Sequence, residues 1–279
     1  MRLQTAMRSA TVTELCKHLV IWGFLFFSFF PFYMMINISL KDNGQFARNP
    51  WSPEPPYHWE NYRVGWEHVG PNIFNTTYVA TFTTVFTLTL ALIGAFFFAR
   101  FKVFGSTFLF YLFIALMLYP GVANMVPTFK LISALGLYNS LWALIFLGVA
   151  GGQAFAIYVL RNFLEDIPRD MFDAVEIDGG GMLQQIWYIA RPLSLPVLGI
   201  LGVLQIIGSW NSFVGPLILI RDLSKQQIAV ALLHLEGQYT KQWGELMAGY
   251  TIASLPLIVL FFFCMRLFIR GLSEGAIKG

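Results

Sequence analysis

Charge is scarce in this sequence: 12% of its 279 residues are Asp, Glu, Lys or Arg, against 57% that are hydrophobic. A soluble domain carries about twice that charged share, so the scarcity excludes an ordinary water-facing surface. The net charge of +3 is too small to indicate a nucleic-acid partner. Cysteine is nearly absent. Cys16 and Cys264 fall in or beside apolar segments at opposite ends of the chain, without paired spacing, and read as buried thiols rather than a disulfide. The four histidines, His18, His58, His68 and His234, are dispersed with no HExxH pair, so no metal site is expected. No convergent nucleophile set suggests an enzyme. No GxxxxGK[ST] loop is present either, so any ATP must be bound by another chain.

What is abundant is apolar bulk, with Phe at 28 residues. Bulky apolar groups on every face of a helix make sense where lipid or another helix is the solvent. The run Leu19–Leu40 carries no charge. At about 1.5 Å per residue it covers about 33 Å, enough for a bilayer core of roughly 30 Å. Arg2, Arg8 and Lys17 precede it, the flank of a secretory signal, but the run is long and lacks a small-x-small cleavage site before Lys41. A retained span is expected. Uncharged runs follow at about Ile73–Ala99, Thr107–Phe129, Leu141–Leu160, Leu193–Ile220 and Leu246–Met265. The expectation is an all-α polytopic membrane protein with six transmembrane helices.

Between the first two runs, residues 41–72 read as a polar loop, with Pro53-Glu54-Pro55-Pro56 and the interfacial aromatics Trp51, Tyr57, Trp59 and Tyr62. Asn37-Ile38-Ser39 and Asn75-Thr76-Thr77 match the glycosylation pattern, but each abuts a span. Pro120-Gly121 and Pro127 in the third run, and Gly215-Pro216 in the fifth, are expected to break the helix ladder. Freed backbone groups at membrane depth face protein or a watery cavity, so both a packed kink and a pathway-lining break are open readings. With both termini cytoplasmic, the inner side holds Arg2, Arg8, Lys17, Arg100, Lys102, Arg161, Arg169, Arg191, Arg266, Arg270 and Lys278. The outer side then holds Lys41, Arg48, Arg63, Lys130, Arg221, Lys225 and Lys241, so the positive-inside rule favours this orientation.

None of the six runs contains Asp, Glu, His or Lys. A carrier driven by protons or sodium keeps such a group to bind or relay its ion, so the clean spans disfavour that class, although selection for stability alone would also clear them. A channel, which needs no energy source, stays open.

The segment 161–191 carries six acidic residues. Pro168 suits the first turn of a helix, whose dipole the following Asp170 and Asp173 complement. Gly179, Gly180 and Gly181 offer a positive-φ stop, and a second short helix, Met182–Ala190, is expected to close at Pro192. Two readings stand: a solvated charged loop, and a rigid helix–glycine–helix knuckle with Met171, Phe172 and Val175 available to fill a partner's groove.

Asp173-Ala174-Val175, Asp178-Gly179-Gly180, Pro192 and Pro196 resemble the EAA loop of bacterial ATP-binding-cassette importer permeases, which begins Glu-Ala-Ala and runs through Asp-Gly-Ala to Leu-Pro. Asp173, Val175 and Gly180 depart from that pattern conservatively. Gly136-Leu137-Tyr138-Asn139-Ser140-Leu141-Trp142, Trp210-Asn211-Ser212-Phe213-Val214-Gly215-Pro216 and the ending Arg270-Gly271-Leu272-Ser273-Glu274-Gly275-Ala276-Ile277-Lys278-Gly279 resemble the sugar-importer branch, in which the second permeases of maltose transporters are the nearest match. The resemblance covers most of residues 73–279 and the first span.

It implies a type I importer permease fold, with a cytoplasmic segment 1–18, a six-helix membrane domain 19–271 and a cytoplasmic tail 272–279. It implies a bacterial inner-membrane location, a homologous permease partner, two ATPase subunits that bind ATP and Mg, and an extracytoplasmic solute-binding protein. No cofactor falls to this chain, and lipid surrounds it. ATPase coupling falls on Met171, Phe172, Asp173, Ala174, Val175, Asp178, Gly179 and Gly180, and the tail Gly275–Gly279 is expected near the ATPase. For a sugar route, Tyr119, Asn124, Gln205, Trp210 and Asn211 are polar or aromatic groups at or near breaks, suited to stacking and hydrogen bonding. Helix packing is the alternative role for each. An acidic oligosaccharide, such as a uronate fragment, is one candidate cargo.

Overall fold

The computed structural model describes residues 2–118, 121–237 and 241–276, with side chains for 14–118, 121, 124–237 and 241–265. Tyr119 and Pro120 lie outside the described residues, as do 277–279 of the C-terminal tail. Among the described residues all regular secondary structure is helical. In chain order the helices are α1 (Arg2–Ser39), α2 (Asn43–Arg48), α3 (Glu60–Arg100), α4 (Ser106–Met117), α5 (Met125–Ala134), α6 (Leu141–Glu165), α7 (Asp170–Ile177) and α8 (Met182–Gln185). A single π turn, Ile186–Ala190, leads into α9 (Arg191–Trp210), followed by α10 (Val214–Leu219), α11 (Ile228–Glu236) and α12 (Trp243–Ala276). Five helical segments among the described residues are long and apolar enough to cross a membrane: Glu14–Ser39, Glu60–Arg100, Leu141–Glu165, Met182–Trp210 and Trp243–Met265. The third run, Thr107–Phe129, is divided into α4 and α5.

The third run is divided at Gly121, as expected, and the fifth just before Gly215-Pro216, but the prolines at 127 and 216 play another part. Gly121–Asn124 forms a tight 3₁₀ turn between α4 and α5, while Pro127 sits in the first turn of α5. Likewise α9 ends at Trp210, and Pro216 sits in the first turn of α10. A proline there removes only an N–H that would be orphaned anyway, so both prolines start helices rather than break them. Pro192 does not close the second knuckle helix either. Arg191 N–H donates to Ile186 O, a bond one residue longer than the α spacing, so the widened turn absorbs the missing Pro192 N–H and the chain runs on into α9.

Packing divides the chain into two units, Met1–Gly70 with His234–Ser254, and Pro71–Leu233 with Leu255–Gly279. In the first, α1 leaves its apolar residues outward, with Trp22 68% and Phe27 75% exposed. Cys16 is therefore exposed and not the buried thiol expected. The segment expected to be a polar loop instead carries α2, and α3 begins at Glu60, well before Ile73, with that acid in its first turn. Lys41, 1% exposed, donates its ammonium to the carbonyls of Asn49 and Ser52. Gln45 Nε2 reaches Pro56 O at 3.0 Å, and Asn61 Nδ2 donates to Ser39 O at 2.9 Å and Lys41 O at 3.0 Å. Asn37 Nδ2 donates to Pro50 O, so this sequon side chain is engaged internally.

In the second unit, Ala91, Phe96, Leu160, Leu164 and Ala190 are fully buried in one apolar cluster, and Val79, Ala143 and Ile145 belong to another. Asn139, at φ 60, accepts from the backbone N–H of Arg221 and Asp222 through Oδ1 and so anchors the chain beyond α10.

Candidate functional site

The knuckle is built from the end of α6 outward. Arg100, the last residue of α3, donates Nη2 to Leu164 O at 3.1 Å, in the last turn of α6, and to Ile167 O at 2.9 Å, just beyond it. The same guanidinium lies 3.6 Å above the Phe172 ring, whose centroid is 5.8 Å from that of Phe96. Phe172 is 3% exposed. It is thus an internal strut and not the groove-filling side chain the spacing suggested, because the first turn of α7 faces the α3–α6 core.

The far end of α7 closes with a Schellman turn. Gly179, at φ 81, donates to Glu176 O at 2.9 Å, and Gly180 N–H donates to Val175 O at 2.8 Å. Gln184 Oε1 then accepts from Gly181 N–H at 2.7 Å to start α8. Val175 and Gly180 belong together: a Cβ on residue 180 would come within 2.6 Å of Val175 Cγ1. The two departures from the Ala pattern therefore fit one another, the larger residue filling the space the smaller one leaves. Asp173, Ala174, Asp178 and Gly179 are exposed, as is Met171, while Val175 and Gly180 are half-buried. Ile177, which the sequence reading did not single out, is 85% exposed at the tip. A lone aliphatic beside a glycine stop, amid acids, was the available signal. Below the knuckle, Arg100, Arg169, Asp173 and Glu176 line a cleft of about 300 Å³ with charges of both signs.

A second cleft, of about 250 Å³, is formed by α3, α6, α9, α10 and the segment entering α11. Gly148 and Gly152, four apart on α6, make the close approach: a Cβ at 148 would meet Thr83 Cγ2 at 2.7 Å, and one at 152 would meet Gln205 Oε1 at 2.6 Å. Gln205 lines this cleft and also an adjoining one of about 230 Å³. Gln227 is delivered to it by α3, where Asn72 and Asn75 donate to Gln226 O and Thr76 Oγ1 accepts from Ile228 N–H at 2.9 Å. Asn75 of the second sequon is thereby engaged. Of the four described residues assigned to a route, Gln205 alone lines the cleft. Trp210 is buried outside it, Asn211 is exposed with Nδ2 donating to Ile207 O at 3.0 Å, and Asn124 is exposed at the end of the 3₁₀ turn. Tyr119 lies outside the described residues. Thr83, Ser209, Ser212 and Gln227 were missed. The threonine-rich run of α3, with Thr76, Thr83 and Thr87 at helical spacing, was a readable signal for part of this set.

Multiple apolar spans, a polar cleft among them and a charged knuckle define a polytopic membrane permease. Residues 71–274 match the family described as "Binding-protein-dependent transport system inner membrane component", and the chain belongs to that family. The probable ABC transporter permease protein YurM of Bacillus subtilis (strain 168) is 31% identical over 265 residues, 93% of this chain and 88% of the relative. The maltose/maltodextrin transport system permease protein MalG of Photorhabdus laumondii subsp. laumondii is 27% identical over 286 residues, 95% and 96% of the two chains. A crystal structure of a bacterial ABC transporter involved in the import of the acidic polysaccharide alginate shares the fold, with a TM-score of 0.81 at 19% identity over 93% of this chain and 97% of that one. The expected resemblance to importer permeases, the second maltose permease included, agrees with these matches. A permease subunit of this family is a membrane component of a transporter, not an enzyme.

Proposed function

We propose that this chain is one permease subunit of an ATP-driven importer of a sugar or oligosaccharide, and that the knuckle couples its helices to a separate ATPase. The observation that carries the reading is the knuckle's construction: an internally braced base at Arg100, Phe96 and Phe172, and an exposed edge of Met171, Asp173, Ala174, Ile177, Asp178 and Gly179. Rigid at the root and open at the tip, it suits force transmission from a docked partner better than a solvated loop does. Val175 and Gly180 set the tip's geometry. A homologous permease forms the other half of the pathway, two ATP-binding-cassette subunits bind ATP and Mg, and an extracytoplasmic binding protein delivers the solute. The chain sits in a bacterial inner membrane as a membrane domain, 19–271, with segments 1–18 and 272–279 in the cytoplasm, and the tail Gly275–Gly279 is a candidate contact for the ATPase. Gln205 contacts the solute from the cleft, and Tyr119, Asn124, Trp210 and Asn211 act along the route. An acidic oligosaccharide is the finer candidate that the alginate transporter suggests.

Gly179→Pro is the test. Proline holds φ near about −65° and has no N–H, so it can neither adopt φ 81 nor donate to Glu176 O. In the assembled complex, uptake and solute-stimulated ATP hydrolysis fall to background while the chain remains in the membrane. Retention of both activities would remove the knuckle from the mechanism. Solute accumulation by the chain alone, without ATP, would mark an ion-coupled carrier instead.

A further inference from the structure

Where α3 passes α8 and the π turn, an open groove of about 410 Å³ is lined by Leu92 and Ile93 on one side and by Leu183, Ile186, Trp187 and Arg191 on the other. Ile186 is buried, whereas Ile93, Leu183 and Trp187 are exposed. At about 1.5 Å per residue, Leu92 and Ile93 lie roughly 10–12 Å from Arg100 along α3. The groove therefore falls in the half of a roughly 30 Å bilayer core nearer the knuckle. Arg191 is the one charged group in its lining. Its guanidinium lies 4.1 Å from the Trp187 ring, and among the described residues its side chain makes no ion pair and no hydrogen bond. A guanidinium carries five N–H donors in a fork that suits phosphate, and here nothing within the chain accepts from them.

We propose that this groove binds one anionic phospholipid of the leaflet nearer the knuckle, with an acyl chain along Leu92, Ile93, Leu183 and Ile186 and the headgroup phosphate on Arg191. The proposal goes beyond the importer reading and takes from it only the knuckle's place at the inner surface. Volume limits the occupant: about 410 Å³ equals roughly fourteen waters, and a methylene is of similar size, so the groove holds most of one chain and not two. An apolar lining gives no preference over bulk lipid tails, so selectivity falls on the headgroup. Charge then decides the lipid class. A zwitterionic headgroup brings its own ammonium, and among the described residues no Asp or Glu lines the groove to receive it. The Trp187 face, the other favourable seat for an ammonium, is already covered by Arg191. An anionic headgroup needs neither, and its phosphate takes the guanidinium as a counter-ion through charge-assisted hydrogen bonds.

The experiment is native mass spectrometry of the assembled transporter, titrated with phosphatidylglycerol or phosphatidylcholine of identical acyl chains and read at the first lipid to bind. Phosphatidylglycerol binds about fivefold more tightly, the worth of one basic residue at an anionic surface. Arg191→Gln removes that preference, and Arg191→Lys keeps most of it. Arg191 is exposed, so both variants retain the thermal midpoint of the native complex. Ile93→Trp keeps the charge but fills the groove, and it weakens phosphatidylglycerol binding. Glycerol 3-phosphate, the headgroup without chains, does not displace the lipid. A photoreactive benzoylphenylalanine in place of Ile93 cross-links to phosphatidylglycerol. Equal binding of the two lipids, an unchanged preference in Arg191→Gln, displacement by glycerol 3-phosphate, or cross-linking of position 93 to the partner permease instead overturns the proposal. ATP-driven uptake by the same complex separates the two readings: lipid preference without uptake of any saccharide counts against the importer, whereas uptake without lipid preference counts against the lipid site alone.

Discussion

The segment from Lys41 to Trp59 and the knuckle from Arg161 to Gln185 are both polar connectors rich in turn residues, yet they are held by opposite means. The first is pinned from within by buried polar side chains: Lys41, Gln45 and Asn61 bind backbone carbonyls that no regular helix or sheet pairs. The second is rooted by an aromatic ring, Phe172, clamped between Phe96 and the Arg100 guanidinium, and its polar side chains point outward. The contrast teaches that a connector can be fixed by satisfying its own backbone or by inserting one apolar anchor into a core. Only the second way leaves an exposed edge free for a partner.

Breaking the anchor is expected to have the largest effect. Phe172→Ala removes a ring from the α3–α6 core and costs about 3–5 kcal/mol, seen as a lower thermal midpoint of the purified complex. Met171→Ala, on the exposed side of the same turn, leaves that midpoint unchanged while lowering coupled transport; equal midpoints for the two variants would erase the distinction between root and edge.

The polar pin is more local. Lys41→Met strips Asn49 O and Ser52 O of their donor, at about 1–3 kcal/mol per orphaned carbonyl. Backbone amides of 41–59 lose hydrogen-exchange protection while those of 161–185 keep theirs. Burial pushes the Lys41 ammonium below its ordinary value of 10.5, so the pin is held against a desolvation cost. A loop undisturbed by this change would refute the polar account of its order.

The smallest effect concerns pH. Asp42 caps α2, accepting from Gln45 N–H at 2.7 Å, and that backbone hydrogen bond, helped by His58 and Arg48, holds its carboxyl below the ordinary value of 3.8. A carboxylate with a lowered folded-state pKa contributes stability that is complete above the unfolded value and disappears as pH falls through the folded one. Fraying of α2, followed by exchange at Phe46 N–H, is therefore expected only below pH 3.8 and not between neutrality and that point.

The helical class, most of the spans and the glycine stop at 179 were legible because each rests on a local rule: uncharged runs long enough for a bilayer, and a residue without Cβ where φ must be positive. The burial of Phe172, the π turn ahead of Pro192, the fit of Val175 to Gly180 and the gathering of Thr83, Gln205 and Gln227 around one cleft were settled only by tertiary packing. Those features depend on which faces of helices distant in sequence meet. A one-dimensional pattern of hydropathy specifies that each span faces lipid or protein, but not which neighbour it faces.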